Sequence, residues 1–147
     1  ELLDEGKNVA FLTLGDPSVY STPMYLHHRL QKMGYETRLV PGVPSFCAVA
    51  AALNTSLCEG SEMLHIVPAS YPDMDKALAY EGNKVLMKSG KQIGRVLDKL
   101  DEKQMEVMAV ERCGMEGERV HPDLSTLDEN ASYFSVIVVK EKREEDR

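Results

Sequence analysis

The sequence has few of the features that mark membrane, disulfide-bonded or zinc-binding proteins. No stretch of its 147 residues approaches the roughly 18 uninterrupted apolar residues that span a bilayer. The first residues lack a basic region followed by an apolar one, so we predict a cytoplasmic location. The 3 cysteines are widely spaced and form no CxxC pair. They favour neither a disulfide framework nor a zinc site, and we predict no bound metal.

Positive charge is also scarce. The chain has 17 lysines and arginines against 24 acidic residues, which gives a formal net charge of -7. Nucleic-acid binding through a broad face depends on neutralising phosphates, so the composition disfavours RNA or DNA as a partner. The absence of GxxxxGK[ST] and GxGxxG motifs likewise disfavours a generic nucleotide-binding domain. Among the possible functions, the composition favours one that acts on a small molecule.

The first third of the sequence predicts a strand, a loop and a helix, twice over. Short apolar runs at Val9–Leu14 and Thr37–Val40 are typical of buried parallel strands. Helical spacing follows from Thr22 to Lys32, and an alanine-rich helix is predicted after Ser45. Two strands and two helices cannot cover both faces of a parallel sheet. Because the chain also begins inside an apparent helix without an initiator methionine, we expect an N-terminal truncation.

The remainder of the sequence predicts a compact unit of strands and helices. The polar segment CEGSE, after Asn54, indicates a domain boundary, so we predict domains at residues 1–55 and 56–147. Strands are predicted at 63–67, 84–88, 105–110 and 133–139, and helices at 72–80 and 93–100. The predicted fold is α/β: the remnant of a parallel-sheet N-terminal domain, followed by a mixed or antiparallel C-terminal domain.

Two loops carry the clearest functional signal. LGDPSVYST, from Leu14 to Thr22, and VPGVPSF, from Val40 to Phe46, each follow a predicted strand and enter a predicted helix. Ligands of open α/β sheets bind at the carboxyl ends of strands, and helix N-termini offer free amides. Each loop alone is equally typical of an ordinary tight turn. Together, the loops predict one ligand cleft.

These two motifs, spaced by one helix and one strand, resemble the tetrapyrrole methylases, which are S-adenosylmethionine-dependent enzymes with two α/β domains. The resemblance extends from Val9 to Lys140 through the segments VLMKSG, AVERCGM and ASYFSVIVV. Within the family, these later segments look most like precorrin-2 or cobalt-factor II C(20)-methyltransferases of cobalamin biosynthesis. The resemblance implies S-adenosylmethionine as cosubstrate, a tetrapyrrole substrate and a homodimer.

The resemblance also implies site residues, position by position. Tyr20 and Ser21 would face the tetrapyrrole, whereas no residue is implied as a general base. Lys88, Arg112 and Arg119 are candidates for pairing with substrate carboxylates and stay outside the predicted site. The residues implied to line the cofactor pocket are Leu14, Gly15, Asp16, Val19, Pro44, Ser45, Met87 and Cys113.

Three other functions stay open from the sequence. The chain resembles other members of the same family, such as those that methylate ribosomal RNA or a modified histidine. A noncatalytic ligand-binding fragment is a second alternative, since the family's glycine-rich loop after the first strand is missing from this sequence. A generic nucleotide-binding domain is the least favoured.

Overall fold

The computed structural model describes residues 1–88, 93–102, 105–127 and 131–141. The chain divides into two compact units, Glu1–Ser45 and Phe46–Arg147. The predicted domain boundary between residues 55 and 56 stays a prediction, because contact density does not measure independent folding. Ser89 and Gly90, the last residues of the VLMKSG segment, lie outside the described residues.

The first unit contains one helix, α1 (Pro23–Lys32), as predicted. Pro23 occupies the first turn, where its missing N–H costs no hydrogen bond. Gly34 ends the helix with a φ of 86°. Its N–H donates to the Gln31 carbonyl at 3.0 Å, and the Tyr35 N–H donates to the Leu30 carbonyl at 3.1 Å. This is a Schellman termination, which needs a left-handed residue and therefore favours glycine.

The two strands predicted in the first unit are absent from the structure. Residues 1–45 are all described, and none of them belongs to a paired strand, so the prediction of strands at Val9–Leu14 and Thr37–Val40 was wrong. A strand is stable when its backbone groups bond to a neighbour and its side chains are covered. Neither condition holds, since the Leu12 side chain is 94% exposed and Val40 is 72% exposed.

The second unit is built on a five-stranded sheet with the order β1-β2-β5-β3-β4. Strands β1 and β2 are parallel, and the other neighbours are antiparallel. The predicted mixed α/β fold class is thus confirmed. The parallel strand pair, β1 with β2, lies in the second unit. The strands are β1 (Leu64–Pro68), β2 (Asn83–Met87), β3 (Glu106–Glu111), β4 (Arg119–His121) and β5 (Ser135–Lys140).

The remaining helices also follow the predicted order along the chain. They are α2 (Ser45–Ala52), α3 (Met74–Ala79) and α4 (Ile93–Glu102), with a short 3₁₀ turn at Leu124–Thr126. Ile93, Val96 and Leu100 of α4 join a buried cluster with Ile137 and Val139 of β5. Strand β5 is central and its Val136–Val139 run is buried throughout, which explains the uninterrupted apolar sequence. No helix in the described part of the chain is long and apolar enough to cross a membrane.

Candidate functional site

Asp16 joins the two loops that the sequence singled out. Its Oδ1 accepts hydrogen bonds from the Ser18 amide at 2.8 Å and from the Ser18 hydroxyl. Its Oδ2 accepts the Gly42 amide at 2.9 Å, across 26 residues of sequence. The Ser18 hydroxyl, followed by the Gly42 and Ser18 amides, lowers the pKa of the Asp16 carboxyl below its usual value. The carboxylate therefore stays ionised and holds the first loop against the second.

The two loops approach so closely that a side chain does not fit between them. A Cβ added at Gly42 would lie 2.2 Å from the Gly15 carbonyl oxygen. Gly15 itself has a φ of 85°, which is a left-handed conformation, and a Cβ there would lie 3.5 Å from the Val43 carbonyl oxygen. Gly42 is therefore required by the close contact with Gly15, and Gly15 is favoured by its left-handed backbone.

The other predicted residues of the first unit surround this junction. Leu14 is 86% exposed and Tyr20 is 43% exposed, whereas Val19, Pro44 and Ser45 are half-buried. The Ser21 hydroxyl oxygen is buried and has no hydrogen-bond partner among the described residues. An unsatisfied buried hydroxyl is costly, so a ligand atom that bonds to it would recover that free energy.

Met87 and Cys113 lie at the carboxyl ends of two strands in the second unit's sheet. Met87 ends β2 and Cys113 comes two residues after the end of β3. Both strands run antiparallel to β5, and Val136 is the register partner of both Met87 and Val110. The carboxyl ends of β2 and β3 are therefore on the same side, separated by one strand, or about 10 Å. The two residues that the sequence predicted from separate motifs thus follow strand ends on the same side of the sheet.

The Cys113 thiol is held in its neutral form. Burial raises its pKa, and the negative charge of Glu118 and a hydrogen bond to that carboxylate raise it further. Thiolates are the reactive form of cysteine, so this environment disfavours a nucleophilic role.

Sequence reasoning missed a buried carboxylate beside Cys113. Glu111, the last residue of β3, is 1% exposed and contacts His121 Nε2 at 2.9 Å and Arg119 Nη2 at 3.1 Å. It also accepts the backbone amide of Ser132. Its partners lie 8 to 21 residues away in sequence, so no local motif reveals them.

Left-handed backbone also marks the site. Among the described residues, four non-glycine residues have positive φ. Three of them are predicted site residues or adjoin one: Tyr20 at 50°, Lys88 at 60° and Arg112 at 52°. Such conformations are costly and concentrate at functional sites. Lys88 directly follows Met87, and Arg112 directly precedes Cys113. The signal was invisible in the sequence because neither lysine nor arginine favours this conformation.

Comparison with known proteins identifies the family. The model of the Tetrapyrrole (Corrin/Porphyrin) Methylases matches residues 1–128. The chain belongs to the tetrapyrrole methylase family. The assignment confirms the resemblance that rested on the two loop motifs and on the segments around Met87, Cys113 and β5.

Individual relatives support the same assignment. The chain is 33% identical over 144 residues to a protein named probable cobalt-precorrin-2 C(20)-methyltransferase from Methanocaldococcus jannaschii, covering 95% of this chain and 62% of that protein. It is 34% identical over 141 residues to cobalamin biosynthesis protein CobIJ of Mycobacterium bovis, covering 93% of this chain and 28% of that protein. The chain thus spans less than two thirds of the length of these relatives.

A solved structure shows that the fold is shared. The crystal structure of uroporphyrin-III C-methyl transferase from Thermus thermophilus, complexed with S-adenyl homocysteine, has a TM-score of 0.67 and 21% sequence identity to this chain. The match covers 86% of this chain and 63% of that one. At this identity, the likeness supports the fold and not the function.

Proposed function

We propose that this chain is part of an S-adenosylmethionine-dependent methyltransferase that methylates carbon-20 of precorrin-2 or cobalt-factor II in cobalamin biosynthesis. The observation that carries the proposal is the 33% identity to the named C(20)-methyltransferase over 95% of this chain. The family match to residues 1–128 supports the coarser statement that a tetrapyrrole is methylated. A cytoplasmic location and a homodimer are further parts of the proposal.

The described residues fit S-adenosylmethionine chemically. The predicted cofactor-binding residues offer apolar and thioether surface at Leu14, Val19 and Met87, which suits the adenosine and the methionine chain. Asp16 shapes the backbone of its loop, and the unsatisfied Ser21 hydroxyl offers a hydrogen bond to the macrocycle. When bound, the cosubstrate supplies an electrophilic methyl group on a sulfonium.

The chain's contribution to methyl transfer is proposed to be positioning. In the first unit, the predicted cofactor-binding residues of the Asp16 loop would contact the cosubstrate, while Tyr20 and Ser21 would orient the macrocycle. In the second unit, the predicted cosubstrate contacts are Met87 and Cys113. Holding two reactants in attack geometry contributes about 7–11 kcal/mol, so a rate enhancement does not require a dedicated acid or base. Excluding water from the reacting carbon would protect the transfer from competing solvent.

Methyl transfer to defined tetrapyrroles tests the proposal. The chain is incubated with isotopically methyl-labelled S-adenosylmethionine and either precorrin-2 or cobalt-factor II, and nuclear magnetic resonance locates the label in the product. We expect the label at carbon-20, with uroporphyrinogen III unlabelled as the control. Label at another carbon would favour a different family member. Transfer only by an N-terminally extended chain would favour a noncatalytic ligand-binding fragment.

A further inference from the structure

Glu111 connects both ends of the loop that carries Cys113. The loop spans residues 112–118: it begins immediately after Glu111 and ends immediately before Arg119, whose guanidinium bonds to the Glu111 carboxylate at 3.1 Å. The same carboxylate contacts His121 of β4 and accepts the amide of Ser132, three residues before β5. A single buried side chain therefore joins three segments at the base of this loop.

The loop itself is tightly ordered by its own hydrogen bonds. The Met115 amide donates to the Arg112 carbonyl at 2.8 Å, and Arg112 Nε donates to the Glu116 carbonyl at 2.8 Å. The Glu118 carboxylate accepts the Gly114 amide at 2.5 Å. The Arg112 amide donates to the Phe134 carbonyl at 2.9 Å, which ties the loop to the start of β5. The position of Cys113 is thus set by the geometry of the loop's base.

The buried charge is better explained by positioning than by stability. Burial raises the pKa of Glu111, but the Ser132 amide, the His121 hydrogen bond and the Arg119 charge outweigh it, and the net pKa lies below the usual value. The group is therefore an ionised carboxylate in the protein interior. Buried ion pairs contribute little net stability compared with well-packed apolar residues. Their best-attested benefit is to fix one arrangement of the segments that they join.

We propose that Glu111 is a positioning residue for the cofactor pocket. Its carboxylate fixes the base of the 112–118 loop through His121, Arg119 and the Ser132 amide, and thereby sets the place of Cys113. This inference rests on the proposed function, because it takes Cys113 as a cofactor contact. It assigns to Glu111 and His121 a role that neither the motifs nor the family match gives them.

Glu111→Gln is the test variant, and Lys84→Met is its matched control. Glutamine keeps the shape of the side chain but removes the charge and one acceptor oxygen. Lys84 is also fully buried and charged, and its Nζ pairs with Glu141 at 3.3 Å. It lies near the amino end of β2, opposite Val139. It is therefore at the other end of the strand from Met87. A general effect of losing a buried charge would appear in both variants.

The first readout is amide hydrogen exchange, followed by nuclear magnetic resonance, at Gly114, Met115 and Glu118. We expect exchange to accelerate by about tenfold in Glu111→Gln, since loss of a charge-assisted hydrogen bond loosens the loop base. We expect no change at these amides in Lys84→Met. Equal exchange rates at these amides in the wild-type chain and in Glu111→Gln would overturn the inference. This readout needs no ligand.

The second readout is the dissociation constant of S-adenosylhomocysteine. We expect it to rise about tenfold in Glu111→Gln and in His121→Leu, and to stay within about twofold in Lys84→Met and in His121→Gln. Glutamine at position 121 restores an N–H donor near the Nε2 position, so it serves as a rescue. Wild-type affinity in a folded Glu111→Gln would overturn the positioning role alone. Absence of binding by both the wild-type chain and an N-terminally extended chain would overturn the proposed function as well.

Discussion

At the scale of single residues, the junction of Gly15, Asp16 and Gly42 shows how the chain holds together the two loops predicted to bind a ligand. Gly42 has no room for a Cβ because the Gly15 carbonyl would lie 2.2 Å away. The contact is with backbone, which cannot rotate out of the way. The Asp16 carboxylate then fixes the arrangement by accepting the Gly42 amide.

Gly42→Ala should therefore separate the two loops. We expect the free energy of unfolding to fall by about 1–3 kcal/mol, the usual cost of forced overpacking. Denaturant unfolding measures the change, and Gly6→Ala is the control. Gly6 has a φ of 72° but nothing within 4 Å of an added Cβ, so only backbone strain of about 1 kcal/mol is expected there. Equal S-adenosylhomocysteine affinity in Gly42→Ala and the wild-type chain would contradict the role of this junction.

At the scale of elements, the sequence predicted the helices and strands whose signal lies within one continuous stretch of residues. Strand β5 was predicted because Val136–Val139 is a continuous β-branched run, and α1 because apolar spacing ends at Gly34. Val9–Leu14 has the same apolar character but forms no paired strand. Apolar composition predicts a strand only where a neighbouring strand completes its hydrogen bonds. The Glu111 cluster was missed for a related reason, since its partners converge from separate segments.

The Glu111 cluster also predicts an acid-sensitive link between β3, β4 and Ser132. Because the folded-state pKa of Glu111 is lowered, its contribution is fully present above the unfolded value of about 4.3 and is lost as the pH falls through the folded value. Glu111→Gln has no such group to titrate. We expect its stability to fall less steeply than that of the wild-type chain below about pH 4.3. Parallel stability curves, measured by urea unfolding at successive pH values, would argue against this link.

At the scale of the whole molecule, exposed apolar residues and the family resemblance both favour association. Leu12 and Tyr25 of the first unit are 94% and 81% exposed. Exposed apolar side chains mark interaction sites where they cluster, so these two are the positions to test. We expect light scattering to show a dimer at micromolar concentration, and Leu12→Ser with Tyr25→Ser to shift the equilibrium toward monomer. A concentration-independent monomer would count against the homodimer.

The central claim is that this chain binds S-adenosylmethionine, with the loop that carries Asp16 as part of the site. Calorimetric titration with S-adenosylhomocysteine, which lacks the transferable methyl, tests it most directly. We predict micromolar binding that Asp16→Ala abolishes and that Glu36→Ala, the loss of an exposed carboxylate elsewhere in the first unit, leaves unchanged. Absence of binding both by this chain and by an N-terminally extended chain would contradict the claim.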